Sequence, residues 1–449
     1  MHKIKQLYSN LRSSFWFAPS VIVAYSIALA VILVEADSAV SDRWLAQWPR
    51  LFGAGAAGAR DMLSTIAGSM MSVMGVTFSM TLVALTLASS QYTSRILRNF
   101  MRSHVTQYTL GVFAGIFSYC LIVLRTIRGS GEVEFVPGLA VFFAFVLALG
   151  SVGVLIFFIH HIASSIQASS IIPSVAKESI AVIDRLFPEK IGQGPDEDED
   201  KDQVLRSLEK LTWRPVPAKV SGYIQSVNND ALMRLARDRK TILRMEHGIG
   251  DYVVEETGLA SLALEDPLDQ ETIAALNSSY NISSHRTVEQ DPAFGVRQIV
   301  DIALKALSPG VNDTSTAVMC VDYLAAILAR LASRQLPSSR RYEEGELRVI
   351  TIAQTFKSLL ADSFDQIRRS AEGNVAVMER MLGAIENIGS LTTNPYRRRA
   401  LCEQIQRIDE LADLTIESAH DRARIEKRLM HVRERLESEP VLYPREEKE

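Results

Sequence analysis

Four long apolar stretches without a charged residue lie within the first 161 residues of the chain. They cover residues 17–34, 62–90, 105–124 and 136–159. A helix rises about 1.5 Å per residue, so roughly 20 apolar residues cross the hydrocarbon core of a bilayer. One soluble core cannot bury four such helices in succession with charged loops between them. We therefore predict a membrane protein with an α-helical four-span transmembrane domain in residues 1–187.

Charge and cysteine content narrow the possible partners. The net charge of −4 argues against nucleic acid as a partner. The three cysteines, Cys120, Cys320 and Cys402, are far apart, which fits neither a disulfide framework nor a zinc site. We expect no metal site and no cofactor.

Basic residues around the spans indicate on which side of the membrane the termini lie. No convincing small-residue cleavage site precedes Glu35, so we expect the first span to be retained. Four spans place both termini on the same side. Arginines cluster in the loop between the second and third spans, at Arg95, Arg98 and Arg102. By the positive-inside rule, this cluster favours cytoplasmic termini and a cytoplasmic soluble domain.

Small and hydroxylated residues form a stripe along the second span, at alternating steps of four and three residues. Its members are Gly68, Ser72, Gly75, Ser79, Thr86, Ser89 and Thr93, and Leu82 is the one large residue in the series. This spacing places them on one helix face. Two interpretations remain open: close packing against another helix, or the polar wall of a water-filled path assembled from several copies. No charged residue lies in mid-span, which argues more against a coupled pump than against a passive pore.

The rest of the chain predicts a soluble α+β module and a mainly helical C-terminal region. Residues 162–187 form an amphipathic exit helix, which lies on the membrane surface or docks onto the soluble domain. An acidic linker at 188–212 leads to a small β-rich module at 213–290. Its central hairpin resembles the barrel-sandwich modules that carry biotin or lipoate, but their methionine-flanked lysine is absent. A helical domain at 291–438 and a disordered tail at 439–449 complete the chain, with residues 343–438 almost wholly helical.

Polar residues concentrate around a helical hairpin at the start of the helical domain. They are Asp291, Arg297, Asp301, Asn312 and Asp313. A carboxylate-rich corner of this kind can hold a small ligand or a divalent cation. The alternative is structural: Asn312 or Asp313 caps the second helix, and Arg297 pairs with Asp301 at a spacing of four residues.

Three segments together resemble one bacterial family. They are VTFSMTLVALTLASSQYTSRIL, FFIHHIASSIQ and DPAFGVRQIVDIALKALSPGVNDTSTA. The chain is similar over nearly its whole length to the predicted membrane proteins called domain of unknown function 2254. This resemblance implies a bacterial inner (plasma) membrane protein and supplies no reaction, substrate or catalytic residue.

Two functions remain open on the sequence. The first is a homo-oligomeric channel or passive transporter in the lipid bilayer, gated by its soluble domain. The alternative is a membrane-anchored ligand-binding or scaffolding protein without transport activity. No phosphate-binding loop, nucleophile elbow, zinc-binding helix or dinucleotide-binding motif occurs, so we do not expect an enzyme.

Overall fold

A computed structural model describes residues 16–39, 55–91, 104–128, 135–187, 208, 211–336, 338–352 and 354–438. The chain divides into two compact units, Met1–Ser170 and Ile171–Glu449. The predicted tail at 439–449 and most of the predicted acidic linker at 188–212 lie outside the described residues.

The first unit contains one helix for each predicted span. These are α1 (Phe17–Ala39), α2 (Ala56–Gln91), α3 (His104–Thr126) and α4 (Gly138–Ser165). Each is long and apolar enough to cross a membrane. The 36 residues of α2 extend about 54 Å, which exceeds a hydrocarbon core of about 30 Å. This helix must therefore tilt or project beyond the core.

Two glycines bring α1 and α3 into close contact. A Cβ atom at Gly111 would lie 2.7 Å from Cδ1 of Ile22, and one at Gly115 would lie 2.5 Å from Oγ of Ser26. Glycines four residues apart are a common device for helix packing in lipid, because they let the two backbones approach. This glycine pair is not among the small-residue positions predicted from the sequence, which all lie on α2.

Polar contacts join the helix ends on one side of the first unit. The carboxylate of Asp37, near the end of α1, accepts hydrogen bonds from the amides of Leu139 and Ala140, both at 3.0 Å. These amides belong to the first turn of α4, where backbone donors have no partner within the helix. The hydroxyl of Tyr119 on α3 donates to the carbonyl of Ala140 at 2.8 Å. Together these bonds fix the start of α4 against α1 and α3.

The second unit contains two sheets. Its strands are β1 (Trp213–Pro217), β2 (Gly222–Val227), β3 (Leu243–Met245), β4 (Tyr252–Val253), β5 (Gly258–Ala263), β6 (Tyr280–Ser283), β7 (Arg340–Glu343) and β8 (Glu346–Ile350). One sheet has the order β1-β5-β3-β8-β7 and the other β4-β2-β6. Strand β3 pairs parallel to β8, and the other pairs are antiparallel. Both sheets are open in the described residues, so they form no closed barrel.

The β7–β8 hairpin corrects the prediction that residues 343–438 are almost wholly helical. It turns at Glu344 and Gly345, whose φ angles are 55° and 81°. Two successive positive φ angles fit the tight turn that matches the twist of paired strands. Because β8 pairs with β3, the sheet includes residues beyond the β-rich module predicted at 213–290.

Helices make up the rest of the second unit. They are α5 (Ala168–Leu186), α6 (Asn229–Asp238), α7 (Gln270–Ser278), α8 (Pro292–Ala306), α9 (Thr314–Ala332), α10 (Phe356–Ser370), α11 (Val375–Gly389), α12 (Pro395–Thr415) and α13 (Ala419–Glu437). The predicted hairpin of α8 and α9 is confirmed. The amphipathic helix after the fourth span, here α5, belongs from Ile171 onward to this unit.

Helix α9 is also apolar and long enough to cross a membrane by length and composition. Its apolar residues, including Cys320, Leu324 and Leu328, are nevertheless buried within the protein. Asp322 pairs with Arg380 of α11, and Arg330 pairs with Asp184 of α5. These contacts identify α9 as a core helix of the second unit.

The glycine contact yields a matched test of packing in the first unit. Gly111→Val and Gly115→Val should each lower stability by about 1–3 kcal/mol, because the added methyl groups force α1 away from α3. Gly150→Val and Gly153→Val on α4 are the controls, because a Cβ at these positions meets nothing within 4 Å. Thermal unfolding of the full chain in detergent measures the difference. Equal melting temperatures for the two pairs would contradict this packing.

Candidate functional site

The small and hydroxylated stripe of α2 faces away from the other helices of its unit. Its described members are all exposed: Gly68, Ser72, Gly75, Ser79 and Thr86. The side chain of Ser89 lies outside the described residues. A Cβ atom at Gly68 or Gly75 would meet nothing within 4 Å. The opposite face of α2 is buried, at Leu63, Ile66, Ala67, Met70 and Thr77. The stripe therefore does not pack against another helix of the same copy.

Two hydroxyl groups of the stripe donate to their own helix. Ser72 donates to the carbonyl of Gly68 at 3.1 Å, and Thr86 donates to the carbonyl of Leu82 at 2.9 Å. Each hydroxyl oxygen keeps lone pairs that can accept a bond from water or from another chain. This face is compatible with an apolar interface and also with a wetted surface.

The interior of the first unit is filled by apolar side chains. Phe113, Tyr119, Cys120 and Val123 of α3 are fully buried there with Leu63 of α2. A water path along the stripe would therefore have to run between copies.

The second unit divides the five predicted ligand-binding residues between two places. Asp291 is the N-cap of α8, while Asn312 and Asp313 follow the other end of that helix. The 15 residues of α8 extend about 22 Å. Because a whole helix separates them, the structure does not bring these residues together in one polar corner.

Asp291 is a buried junction between four segments. It is 1% exposed and accepts from Nε and Nη2 of Arg286 at 2.9 and 2.7 Å, from Gln354 at 3.3 Å and from the amide of Phe294 at 3.1 Å. Gly250 has a φ of +92°, and a Cβ atom there would lie 2.5 Å from Oδ2 of Asp291. Burial raises the pKa of Asp291 although Arg286 favours its charged form. The contacts indicate a structural role.

The other predicted residues also have local partners. Arg297 pairs with Asp301 at 2.8 Å, as the spacing predicts. Asp313 caps α9, accepting from the amide of Thr316 at 3.0 Å and from its hydroxyl at 2.6 Å. These two bonds hold the pKa of Asp313 below its ordinary value. The described residues contain no cluster of three or more His, Cys, Asp or Glu side chains that could hold a metal.

Asn312 borders an open polar cavity of about 490 Å³. Its lining includes Thr314, near the start of α9, and Asn374, the N-cap of α11. The amide group of Asn374 donates to the hydroxyl of Thr314 at 3.0 Å. Across the cavity, Arg424 pairs with Glu379 at 2.6 Å. Asn312 was predicted from the sequence, whereas its neighbours beside α11 and on α13 were not, because they are distant in the chain.

The two capping aspartates differ in their surroundings, and this predicts different mutational costs. Asp291→Ala should destabilise α8 by about 3–5 kcal/mol, because it leaves a partly buried arginine without its carboxylate. Asp313→Ala should cost only about 1 kcal/mol, the usual value for a lost N-cap. Amide hydrogen exchange of α8 and α9 in the full chain measures both values. An equal loss of stability in the two variants would contradict the role of Asp291 as a buried junction.

Comparison with known proteins identifies relatives over most of the chain. The family model described as "Predicted membrane protein (DUF2254)" matches residues 12–387. Uncharacterized proteins of Mycobacterium bovis and Mycobacterium tuberculosis are each 30% identical over 442 residues, which cover 95% of this chain and 81% of the relative. No solved structure matches. These matches confirm the predicted resemblance: the chain belongs to the DUF2254 family of predicted membrane proteins.

Proposed function

We propose that several copies of this protein assemble into a passive channel in the bacterial inner membrane, with the α2 stripe facing the path between copies. The observation that carries the proposal is the exposure of this stripe in the single copy. The cytoplasmic second unit would gate the channel without enzymatic activity. The cytoplasmic orientation rests on the arginines between α2 and α3.

The exposure of α2 supports an assembly in which neighbouring copies meet around the stripe. Lipid gives apolar helices little reason to associate, so helix contacts in a bilayer depend on small residues and polar groups. The chain already uses small residues at Gly111 and Gly115, where α1 and α3 meet. The stripe likewise places small side chains on one helix face, at a seven-residue repeat along the longer helix α2.

The chemistry of the stripe supports a passive path. Apart from Leu82, its side chains are hydrogen atoms or carry a hydroxyl group, and the segment at 62–94 has no charge. A wall of this kind supplies no ionisable group to relay protons or to couple transport to an ion gradient. Small neutral solutes and weakly selected ions fit such a wall best.

Disulfide cross-linking tests the contact between copies. Ser79→Cys in a Cys402→Ser background should give an oxidised dimer in native membranes, because the remaining cysteines, Cys120 and Cys320, are buried. Leu149→Cys is the control, because Leu149 is 60% exposed on α4, away from the stripe. Equal cross-linking at both positions would indicate random collision in the bilayer and contradict the assembly.

Conductance tests the path itself. The purified full chain should give unitary currents in planar bilayers, and Ser79→Leu should abolish them by filling the polar wall. Gly150→Leu on α4 should leave the currents unchanged, since its added side chain enters open space. Silence of the wild-type protein across ions and voltages would contradict the channel.

A second candidate function is that of a membrane-anchored ligand-binding protein. The polar cavity beside Asn312 favours it, since it brings residues from α9, α11 and α13 together. Thermal unfolding with Mg²⁺ and with inorganic phosphate separates the two candidates. Ligand binding would be favoured by two results together. The first is the absence of currents in planar bilayers, and the second is a melting temperature that either probe raises in the wild type but not in Asn374→Ala.

A further inference from the structure

The exit helix α5 is the covalent link between the last span and the second unit. Helix α4 ends at Ser165 and α5 begins at Ala168. From Ile171 onward the residues belong to the second compact unit. Only Ile166 and Gln167 separate the two helices in the chain.

Apolar and steric contacts dock α5 onto α8. Val182 and Leu186 pack with Val288 and Phe294. A Cβ atom at Gly295 would lie 1.9 Å from Oγ of Ser179. The two helices can lie this close only because position 295 has no side chain.

A charged clamp holds the last turn of α5 against α9. Asp184 accepts from Nε and Nη2 of Arg330 at 2.5 and 2.8 Å, and from Nη2 of Arg334 at 2.8 Å. Paired donation of this kind fixes the carboxylate in direction as well as distance. The buried Arg397 of α12 donates to the carbonyls of Ala332 and Arg334, both at 3.0 Å. The buried Arg397 therefore holds in place the end of α9, which carries the two arginines of the clamp.

The clamp differs from the rest of the docking surface in its access to solvent. The side chains of Asp184 and Arg330 are 34% and 29% exposed, whereas the apolar residues Ile172, Val175 and Ile183 of α5 are buried. Exposed charge pairs respond to salt and to competing charges, while buried apolar contacts do not. The last turn of α5 is thus the part of the link that conditions in the aqueous phase can alter.

We propose that α5 is a coupling helix, and that the clamp of Asp184 with Arg330 and Arg334 transmits the state of the second unit to the end of the fourth span. With the clamp closed, α5 restrains the last turns of α4. With the clamp open, that restraint is lost. This coupling is independent of whether the first unit conducts.

Hydrogen exchange of the full chain in nanodiscs tests the coupling. Asp184→Asn removes the charge of the clamp, and Gly295→Ala wedges α5 from α8 without changing any charge. Both should speed exchange roughly three- to tenfold in residues 180–186, and also in residues 156–165 at the end of α4. Asp184→Glu should retain most of the protection, and Lys177→Gln on the exposed face of α5 should change neither segment.

The two segments distinguish docking from transmission. Faster exchange at 180–186 with unchanged exchange at 156–165 would overturn the coupling, because α5 would then be released without effect on α4. Unchanged exchange at both segments would overturn the claim that the clamp holds the last turn of α5. Unaltered exchange in β1 and β5 shows that the fold is retained in each variant. Currents recorded from the same samples test the channel separately, since their absence contradicts only the proposed function.

Discussion

The close contact of α1 and α3 at two glycines is the constraint from which the arrangement of the first unit follows. Helix α2 packs on the same core through Leu63, Ala67 and Met70. The opposite face of α2, which carries the stripe, is left uncovered. The feature that suggests an assembly is thus a result of how the single copy packs.

The second unit depends on buried charge in a comparable way. Asp291 draws together the loop at Gly250, the arginine at 286, the start of α8 and the entry to α10. Arg397 does the same for the end of α9. Each group is costly to bury and is stabilised only by a full set of partners. Such junctions hold sheets and helices in fixed positions, and they leave α5 a firm surface on which to dock.

Local patterns in the sequence predicted local structure well. The spans follow from the thickness of the bilayer, and the cap at Asp313 and the pair of Arg297 with Asp301 depend on residues at most four positions apart. Contacts between distant residues left no such signal: Asp184 lies 146 positions from Arg330, and Asp291 lies 63 from Gln354. The β7–β8 hairpin was missed because its glutamate–glycine turn was read as part of a charged helical region. The predicted polar corner does not form, because the length of α8 separates Asp291 from Asn312 and Asp313.

Labelling of single cysteines on α2 tests the central claim most directly, namely that the stripe faces water between copies. Ser72→Cys and Ser79→Cys, each in a Cys402→Ser background, are treated in native membranes with a membrane-impermeant thiol reagent. The account predicts that both positions react and that Leu149→Cys on α4 does not. If both stripe positions resist the reagent as Leu149→Cys does, the stripe is packed dry or faces lipid, and the proposed path does not exist.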